Sequence, residues 1–384
     1  MPDCIIMMEF SKSLIQWYLQ NKRDLPWRKT IAPYRIWLSE IMLQQTRVAQ
    51  GLPYFLKFTE AFPTVQDMAA APEEQVLKLW QGLGYYSRAR NLHATAKQVA
   101  FEMDGKFPDS YKGLLTLKGV GDYTAAAIAS IAYGEPVPVV DGNVYRVLAR
   151  YFGIETDISS SGAKKQFTEV AASLLPKDDA ATFNQAMMEF GALQCVPKNP
   201  DCGVCIFNKD CVAFNTGRVN QLPVKLKKTK VTDRFFNYLI VKDAAGNTAV
   251  NKRTAKGIWH NLYEFPLIET EGELSVEEMK QMIIAYFKPP RHSGTGSPEE
   301  GKATQPDTGF VPADITLLNR ERILHKLSHQ HLSIRFWEIE ADVALPDAIS
   351  REEAMKYPFP IVIYNFMERY WALNANDLFS ANRN

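Results

Sequence analysis

The 384-residue sequence lacks long apolar runs, a basic leader and any large net charge. No apolar stretch approaches the ~18 residues that a membrane-spanning helix needs, so no membrane partner is expected. Residues 1–10 have no basic region of the kind that opens a signal peptide, so we expect an intracellular protein, cytoplasmic or nucleoid-associated in a bacterium. Lys plus Arg number 44 and Asp plus Glu 43, a formal charge of +1 that, read alone, argues against a nucleic-acid partner.

Length and periodicity predict two domains joined by a linker. Residues 1–217 show helical spacing almost throughout and predict an all-α domain. Residues 218–234 have no helical period and predict an interdomain linker. Residues 235–384 predict an α+β domain, with the elements given next. The expected strands are 235–241, 248–251 and 332–340, the expected helix is 276–287, and a mobile loop is expected at 289–312.

The near-zero total charge hides an uneven distribution. Residues 1–218 carry a net charge of +1, residues 219–234 carry +4 and residues 235–384 carry −4. The basic linker could follow a phosphate backbone. A solvated linker is also simply polar, and this feature alone leaves both interpretations open.

Cysteine is scarce, but four of the five cysteines lie within 17 residues. Cys195, Cys202, Cys205 and Cys211 are separated by six, two and five residues. Four thiolates so spaced can close around a zinc ion or an iron–sulfur cluster. Zinc ribbons usually have two pairs separated by two residues, whereas this segment has one, which favours a cluster in the 195–211 loop.

A short glycine hairpin precedes an alanine-rich helix at residues 117–128. Gly119 and Gly121 can adopt backbone conformations closed to other residues, and the helix that follows would present N–H groups to an anion. The alternative is a tight turn between two helices with no ligand.

Two carboxyl groups stand where acid–base chemistry would need them. Glu40 projects from a largely apolar helical stripe, so its pKa should rise, as a general acid at neutral pH requires. The alternative is a buried ion pair with Arg28 or another base. Asp141 stands immediately before a helix, where it could serve as an N-cap, as an ionised catalytic carboxylate, or as both.

These motifs resemble those of the endonuclease III superfamily of helix-hairpin-helix DNA glycosylases, and residues 39–46 are similar to the matching segment of the MutY-type adenine DNA glycosylases. The resemblance implies one 4Fe-4S cluster, a phosphate grip at the hairpin and catalysis by Glu40 and Asp141, with Asn143 orienting Asp141. Relatives that also cleave the strand have a lysine at the position of Tyr123. A phenol cannot form the Schiff base, so the resemblance implies a monofunctional enzyme.

The same resemblance assigns the remaining candidates. Trp27, Arg28 and Leu43 would line the adenine pocket, and Gln45, Thr46 and Tyr85 would contact DNA around the lesion. The expected partner is double-stranded DNA with 8-oxoguanine:adenine or guanine:adenine mispairs, bound by a monomer. Two alternatives stay open, a bifunctional endonuclease III-type glycosylase and a non-catalytic iron–sulfur DNA-binding protein.

The second domain resembles a Nudix fold that has lost hydrolysis. Residues 257–266 are similar to the loop before the Nudix catalytic box, but residues 267–287 contain no Arg, and Glu277 and Glu278 stand without the rest of the box. Ser328 and His329 match the family's 8-oxoguanine-reading loop, although Leu327 replaces its aromatic residue. Three histidines within residues 325–331 make zinc the rival interpretation.

Overall fold

The structure, a computed structural model, describes residues 4–226, 230–288, 312, 314–345 and 347–381. Apart from residue 312, the loop expected at 289–312 lies outside the described residues. The chain divides into two units. The first is Met1–Ala71 with Arg88–Lys228, and the second is Pro72–Ser87 with Thr229–Asn384.

Helices build the first unit, as the periodicity predicted, and two 3₁₀ turns lie at Pro26–Arg28 and Lys177–Asp179. The α-helices up to residue 215 are α1 Cys4–Asn21, α2 Pro33–Leu43, α3 Val48–Ala61, α4 Val65–Ala70, α5 Glu73–Leu79, α6 Tyr86–Glu102, α7 Tyr111–Leu114, α8 Asp122–Tyr133, α9 Gly142–Phe152, α10 Ala163–Leu174, α11 Ala180–Leu193 and α12 Val212–Asn215. Of these, α5 and the first residues of α6 belong to the second unit.

Within the helical spacing of residues 1–217, apolar residues recur without a break over 36–48 and over 76–83. The structure interrupts the first of these two runs. Helix α2 ends at Leu43 and α3 begins at Val48. Between them Gln45 has φ of 55°, a left-handed conformation that no α-helix can continue through. The pattern over 76–83 likewise ends early, at Leu79. Both corrections fall at loops that carry candidate DNA contacts.

Helix α11 lies at the centre of the first unit, against α1, α8 and α9. In α9 the buried residues Val144, Val147, Leu148 and Tyr151 recur at helical spacing, so one face of the helix enters the core. The ring of Phe207, from the cysteine-bearing loop, stacks on Phe10 of α1 with 4.4 Å between centroids. The core therefore fixes both the start of α9 and the loop that follows α11.

A mixed sheet forms the centre of the second unit, in the order β4-β1-β7-β5 with β6 also paired to β7. Strands β1 and β7 are parallel, and the other pairs of this sheet are antiparallel. The strands are β1 Thr232–Lys242, β2 Asn251–Lys252, β3 Tyr263–Glu264, β4 Leu267–Thr270, β5 Asp314–Leu317, β6 Ile323–Lys326 and β7 Gln330–Glu340. The strand expected at 248–251 is reduced to an isolated bridge at Thr248 and the start of β2.

Helices cover both faces of this sheet, which confirms the α+β prediction. Helix α13, Val276–Phe287, has the predicted bounds and buries Met279 and Ile283 against Leu239 and Trp337. On the other face the ring of Phe366, from α15 Ile361–Ala381, stacks on Phe336. A short helix α14 spans Arg351–Ala354. Within the described residues, no helix is both long and apolar enough to cross a lipid bilayer.

Candidate active site

A cleft of about 610 Å³ in the helical unit brings together most of the predicted catalytic residues. It is bordered by α2, α8, α11 and the start of α9. The predicted residues that line it are Trp27, Arg28, Glu40, Leu43, Thr46, Tyr123, Asp141 and Asn143. A cleft of this size can enclose a small ligand such as a nucleobase.

Glu40 is almost fully buried, with 8% of its surface exposed, and its Oε2 accepts a 2.5 Å hydrogen bond from the Tyr123 hydroxyl. Burial raises the pKa of Glu40 to about 7, the direction predicted from its apolar surroundings, and nearby Asp141 raises it further while the Tyr123 hydrogen bond opposes the rise. The carboxyl group is thus poised to give and take a proton near neutral pH.

Tyr123 lies in the first turn of α8, directly after the hairpin. Burial and the facing carboxyl groups raise its pKa well above the ordinary value, so the hydroxyl stays protonated and donates to Glu40. The hydroxyl also lies 3.5 Å from the sulfur of Met188.

Asp141 is the N-cap of α9, as predicted for its position before a helix. Its catalytic role stays a prediction. Its Oδ1 accepts from the backbone N–H groups of Asn143 and Val144, both at 2.8 Å, and its Oδ2 accepts from the Asn143 side chain at 2.7 Å. Burial raises the pKa of Asp141, whereas these three bonds and the positive charge of Arg146 oppose the rise. Two carboxyl groups with different hydrogen-bond partners therefore share one cleft.

Arg146 is a site residue that the sequence did not indicate. Its Nη2 donates to Asn143 Oδ1 at 2.8 Å and to the carbonyl of Gly191 at 2.6 Å, and its Nε donates to the carbonyl of Cys195 at 2.7 Å. A Cβ atom at Gly191 would lie 2.6 Å from that of Asn143, so glycine is required for this close approach. Asp141 is thus held by Asn143, and Asn143 is held by Arg146.

Glu189 was also missed, although it stands among apolar residues of α11 much as Glu40 does in α2. It is 1% exposed and accepts two hydrogen bonds of 2.7 Å from Arg28. Arg23 donates to it as well, with 2.5 and 2.9 Å contacts. Although burial raises the pKa of Glu189, the two guanidinium groups hold it at about 2. Arg28 is therefore the partner of Glu189, not the ion-pair partner of Glu40.

A second groove, of about 870 Å³, contains the hairpin and adjoins the cleft through Leu43, Tyr123 and Asp141. Gly119 in this groove has φ of 76°, and a Cβ atom there would lie 2.7 Å from Asn91. Gly121 is the N-cap of α8. The predicted DNA contacts that line the groove are Gln45, Gly119 and Gly121.

The four clustered cysteines line one small cavity in the helical unit. Arg150 donates to Cys195 Sγ at 3.4 Å, and the backbone N–H of Phe207 donates to Cys205 Sγ at 3.4 Å. Among the residues that the structure describes, no three potential ligands are grouped as a single metal ion would require. A cubane cluster binds each thiolate to a different iron and needs a wider spacing than zinc. Four soft donors beside an arginine fit such a cluster.

In the second unit, Ser328 and His329 lie in the exposed turn between β6 and β7. The Ser328 hydroxyl is 3.2 Å from His329 Nδ1. The other histidines of this stretch have different neighbours, since His325 packs on the ring of Trp259 and His331 faces Asp233. Among the described residues here, no three potential metal ligands are grouped together. Tyr85 also belongs to the second unit.

Of the two adjacent glutamates Glu277 and Glu278, the second has a structural role. Glu278 closes a capping box at the start of α13, because its carboxylate accepts from the backbone N–H and the hydroxyl of Ser275. The Glu278 carboxylate therefore stabilises the N-terminus of α13.

Comparison with known proteins agrees with this geometry. Residues 38–173 match the family described as HhH-GPD superfamily base excision DNA repair protein, and residues 237–369 match the NUDIX domain. Among solved structures, that of a thermostable thymine-DNA glycosylase is similar to this chain, with a TM-score of 0.51 and 31% sequence identity. The match covers 55% of this chain and 97% of the solved one.

Two similar proteins of known name are adenine DNA glycosylases. The adenine DNA glycosylase of Buchnera aphidicola subsp. Schizaphis graminum is 36% identical over 280 residues, which cover 73% of this chain and 80% of the relative. That of Homo sapiens is 45% identical over 229 residues, covering 57% and 42%. A helix-hairpin-helix beside two carboxyl groups that share one cleft, in a chain that also contains a NUDIX-like domain, defines a base excision DNA glycosylase. The chain belongs to the adenine DNA glycosylase family.

Proposed function

We propose that this protein hydrolyses the N-glycosidic bond of adenine paired with 8-oxoguanine or guanine in duplex DNA. The observation that carries the proposal is that Glu40, buried and hydrogen-bonded to Tyr123, lies in one cleft with Asp141, and burial raises the pKa of Glu40 to about 7. Adenine would be flipped out of the duplex into this cleft, since the bond cannot be reached inside the stack.

In the proposed reaction, Glu40 donates its proton to the adenine ring, and the base leaves as neutral adenine while the bond to the sugar breaks. The Asp141 carboxylate stabilises the positive charge that develops on the sugar. A water molecule then bonds to the sugar carbon and returns a proton to Glu40. Tyr123 stays a hydrogen-bond donor throughout, and no covalent enzyme–DNA intermediate forms.

DNA recognition is divided between the units in this proposal. The hairpin at Gly119 and Gly121 binds a phosphate, and Gln45 and Tyr85 wedge into the base stack. Ser328 and His329 read 8-oxoguanine. Their exposed position on the β6–β7 turn supports this role, because both side chains can reach a ligand.

The four cysteines would hold one 4Fe-4S cluster, which when bound orders the 195–211 loop. Lys198 and Lys209 of that loop would then meet phosphate. Metal analysis of the purified protein tests this directly. About four irons and four acid-labile sulfides per chain are expected for this cluster type; one zinc per chain would overturn the proposal.

The decisive assay measures base release from four duplexes, with adenine opposite 8-oxoguanine, guanine, cytosine or thymine. Release is expected to be fastest opposite 8-oxoguanine, then guanine. A fifth duplex with thymine opposite guanine tests the activity named for the solved structural relative. Thymine release, or a complex trapped by borohydride, would contradict the proposal, whereas binding without any base release would indicate a non-catalytic DNA-binding protein.

A further inference from the structure

Segment 72–87 belongs to the second unit, which also contains residues 229–384 and is called the C-terminal unit below. The residues on both sides of this segment belong to the first, helical unit. The segment contains α5, the glycine-rich loop at 82–84 and Tyr85. The helix-hairpin-helix family match spans residues 38–173 and so includes it. The contacts of this segment therefore differ from what its place in the sequence predicts.

The first turn of α5 contacts the C-terminal unit through two glutamates. Glu73 accepts a 2.6 Å hydrogen bond from the Asn261 side chain, and Glu74 accepts one of 2.5 Å from Lys252. Lys252 is the last residue of β2, and Asn261 lies two residues before β3, both in the C-terminal unit. The start of α5 is thus attached to that unit by two polar contacts, one of them an ion pair.

Lys78 attaches the other end of α5. Its Nζ donates to the carbonyls of Met355 and Tyr357, at 2.8 and 3.1 Å, and lies 4.3 Å from the ring centroid of Tyr364. A half-buried ammonium group needs such partners to offset its lost hydration. Because the acceptors are backbone atoms of one turn, they fix Lys78 to the backbone and not to a mobile side chain.

The same turn reaches the loop after α5. The backbone N–H of Phe359 donates to Gln81 Oε1 at 3.1 Å. The Tyr86 hydroxyl donates to the Phe359 carbonyl at 3.4 Å and accepts from the N–H of Gly82 at 3.3 Å. Residues 355–359 therefore contact Lys78 of α5, and also Gln81 and Tyr86 on the two sides of the 82–85 loop.

Tyr85 at the tip of this loop has a strained backbone, with φ of 48°, and an exposed side chain, with 46% of its surface accessible. Gly84 before it has φ of 78°, and its carbonyl accepts a 2.9 Å hydrogen bond from the Trp80 indole. A tyrosine keeps a left-handed conformation only where the surrounding structure imposes it. The contacts just described hold Gln81 and Tyr86, which lie before and after Tyr85 in the chain.

We propose that Lys78 is a positioning residue that holds Tyr85 in its wedge conformation, so that the C-terminal unit sets the position of the wedge as well as reading the opposite base. The inference rests on the proposed function, in which Tyr85 enters the base stack beside 8-oxoguanine. Lys78 would act by holding Tyr85, and it would not need to contact DNA itself.

The test uses the full chain and a duplex with the fluorescent base 2-aminopurine next to 8-oxoguanine, whose emission rises when it is unstacked. Lys78→Met, Tyr85→Ala and the double variant are compared with the unmodified protein. Both single variants are expected to lose the emission increase at saturating protein, and Lys78→Met to slow adenine release about tenfold, the effect of one lost charge-assisted hydrogen bond.

The double variant decides between positioning and general destabilisation. If Lys78 acts through Tyr85, the double variant is no slower than Tyr85→Ala alone; multiplied losses overturn the proposal. Lys78→Arg should restore much of the emission. Lys356→Met is the matched control, because Lys356 belongs to the same turn and pairs with Glu353 at the surface.

Two further measurements keep the test decisive. If circular dichroism shows that Lys78→Met does not fold, Lys252→Met removes the contact with Glu74 and should give a smaller loss of the same emission. An unchanged emission in whichever variant folds overturns the proposal. Failure of the proposed function would show differently, as an unmodified protein that releases no adenine, whereas the emission readout needs only DNA binding.

Discussion

The hydroxyl of Tyr123 and the carboxyl of Glu40 are joined by a 2.5 Å hydrogen bond that connects the first turn of α8 to α2. Burial pushes the pKa of Glu40 upward, and this bond pulls it downward because it favours the charged carboxylate. The pKa of about 7 is therefore a balance between burial and the Tyr123 hydrogen bond, and removing the hydrogen bond tests it.

We expect Tyr123→Phe to move the alkaline limb of the pH profile of kcat/KM to higher pH. Glu40 must be protonated to act, so activity falls as the pH rises through about 7. Without the Tyr123 hydroxyl the carboxylate loses a donor, its pKa rises, and the fall begins later. Tyr133→Phe, whose hydroxyl contacts the Phe107 carbonyl, is the control. A limb that stays at its original pH would contradict the assignment.

Asp141→Asn should nearly abolish adenine release while leaving lesion binding intact. An amide cannot stabilise a positive charge on the sugar, so a loss on the order of 10²-fold or more is expected. Single-turnover release and equilibrium binding to the 8-oxoguanine:adenine duplex are to be measured on the same protein. Full activity in this variant would remove Asp141 from the mechanism.

Glu189→Gln should destabilise the helical unit. The folded pKa of Glu189, about 2, lies below its ordinary value of 4.5, so its contribution is present above pH 4.5 and is lost as the pH falls toward 2. The shift corresponds to about 3 kcal/mol. Urea unfolding at pH 7 should show a loss on that order, with a flatter acid dependence in the variant.

The control for this change is Asp24→Asn, which breaks an exposed pair with Lys29 and should be nearly neutral. Equal losses in the two variants would mean that the buried ion pairs of Glu189 with Arg23 and Arg28 contribute nothing to the free energy of unfolding.

Arg146→Met should slow adenine release about tenfold or more without weakening DNA binding, because Asn143 loses the donor that orients it toward Asp141. Adding Asn143→Ala should cost little more, since both changes disturb the same carboxylate. Arg35→Met, at an exposed position of α2, is the control. Strictly multiplied losses would show that Arg146 acts elsewhere.

Periodicity predicted elements whose apolar residues face a core. Helix α13 has the predicted bounds because Met279, Ile283 and Phe287 recur at helical spacing between clear ends. The break between α2 and α3 was not predictable in this way. Neither glycine nor proline marks it, and the left-handed backbone of Gln45 depends on tertiary surroundings that no local pattern reports.

The site was predictable where burial and chemistry coincide in sequence. Glu40 was found as a carboxyl on an apolar stripe, and the same argument applied to residues 187–190 would have indicated Glu189. Arg146 gave no such signal, since an arginine in an amphipathic helix is usually on its polar face. Its role depends on the approach of α11, which brings the Gly191 carbonyl to it.

The capping box at Ser275 limits what could be engineered into the NUDIX-like unit. Inserting the missing arginine and glutamate would supply ligands on paper, yet the Glu278 carboxylate would still have to leave Ser275 before it could bind a cation. Recovering phosphate chemistry would therefore begin with a new helix start, such as Asp in place of Ser275, and a shifted glutamate. In this chain the Glu278 carboxylate stabilises the start of α13 and is already occupied by its hydrogen bonds to Ser275.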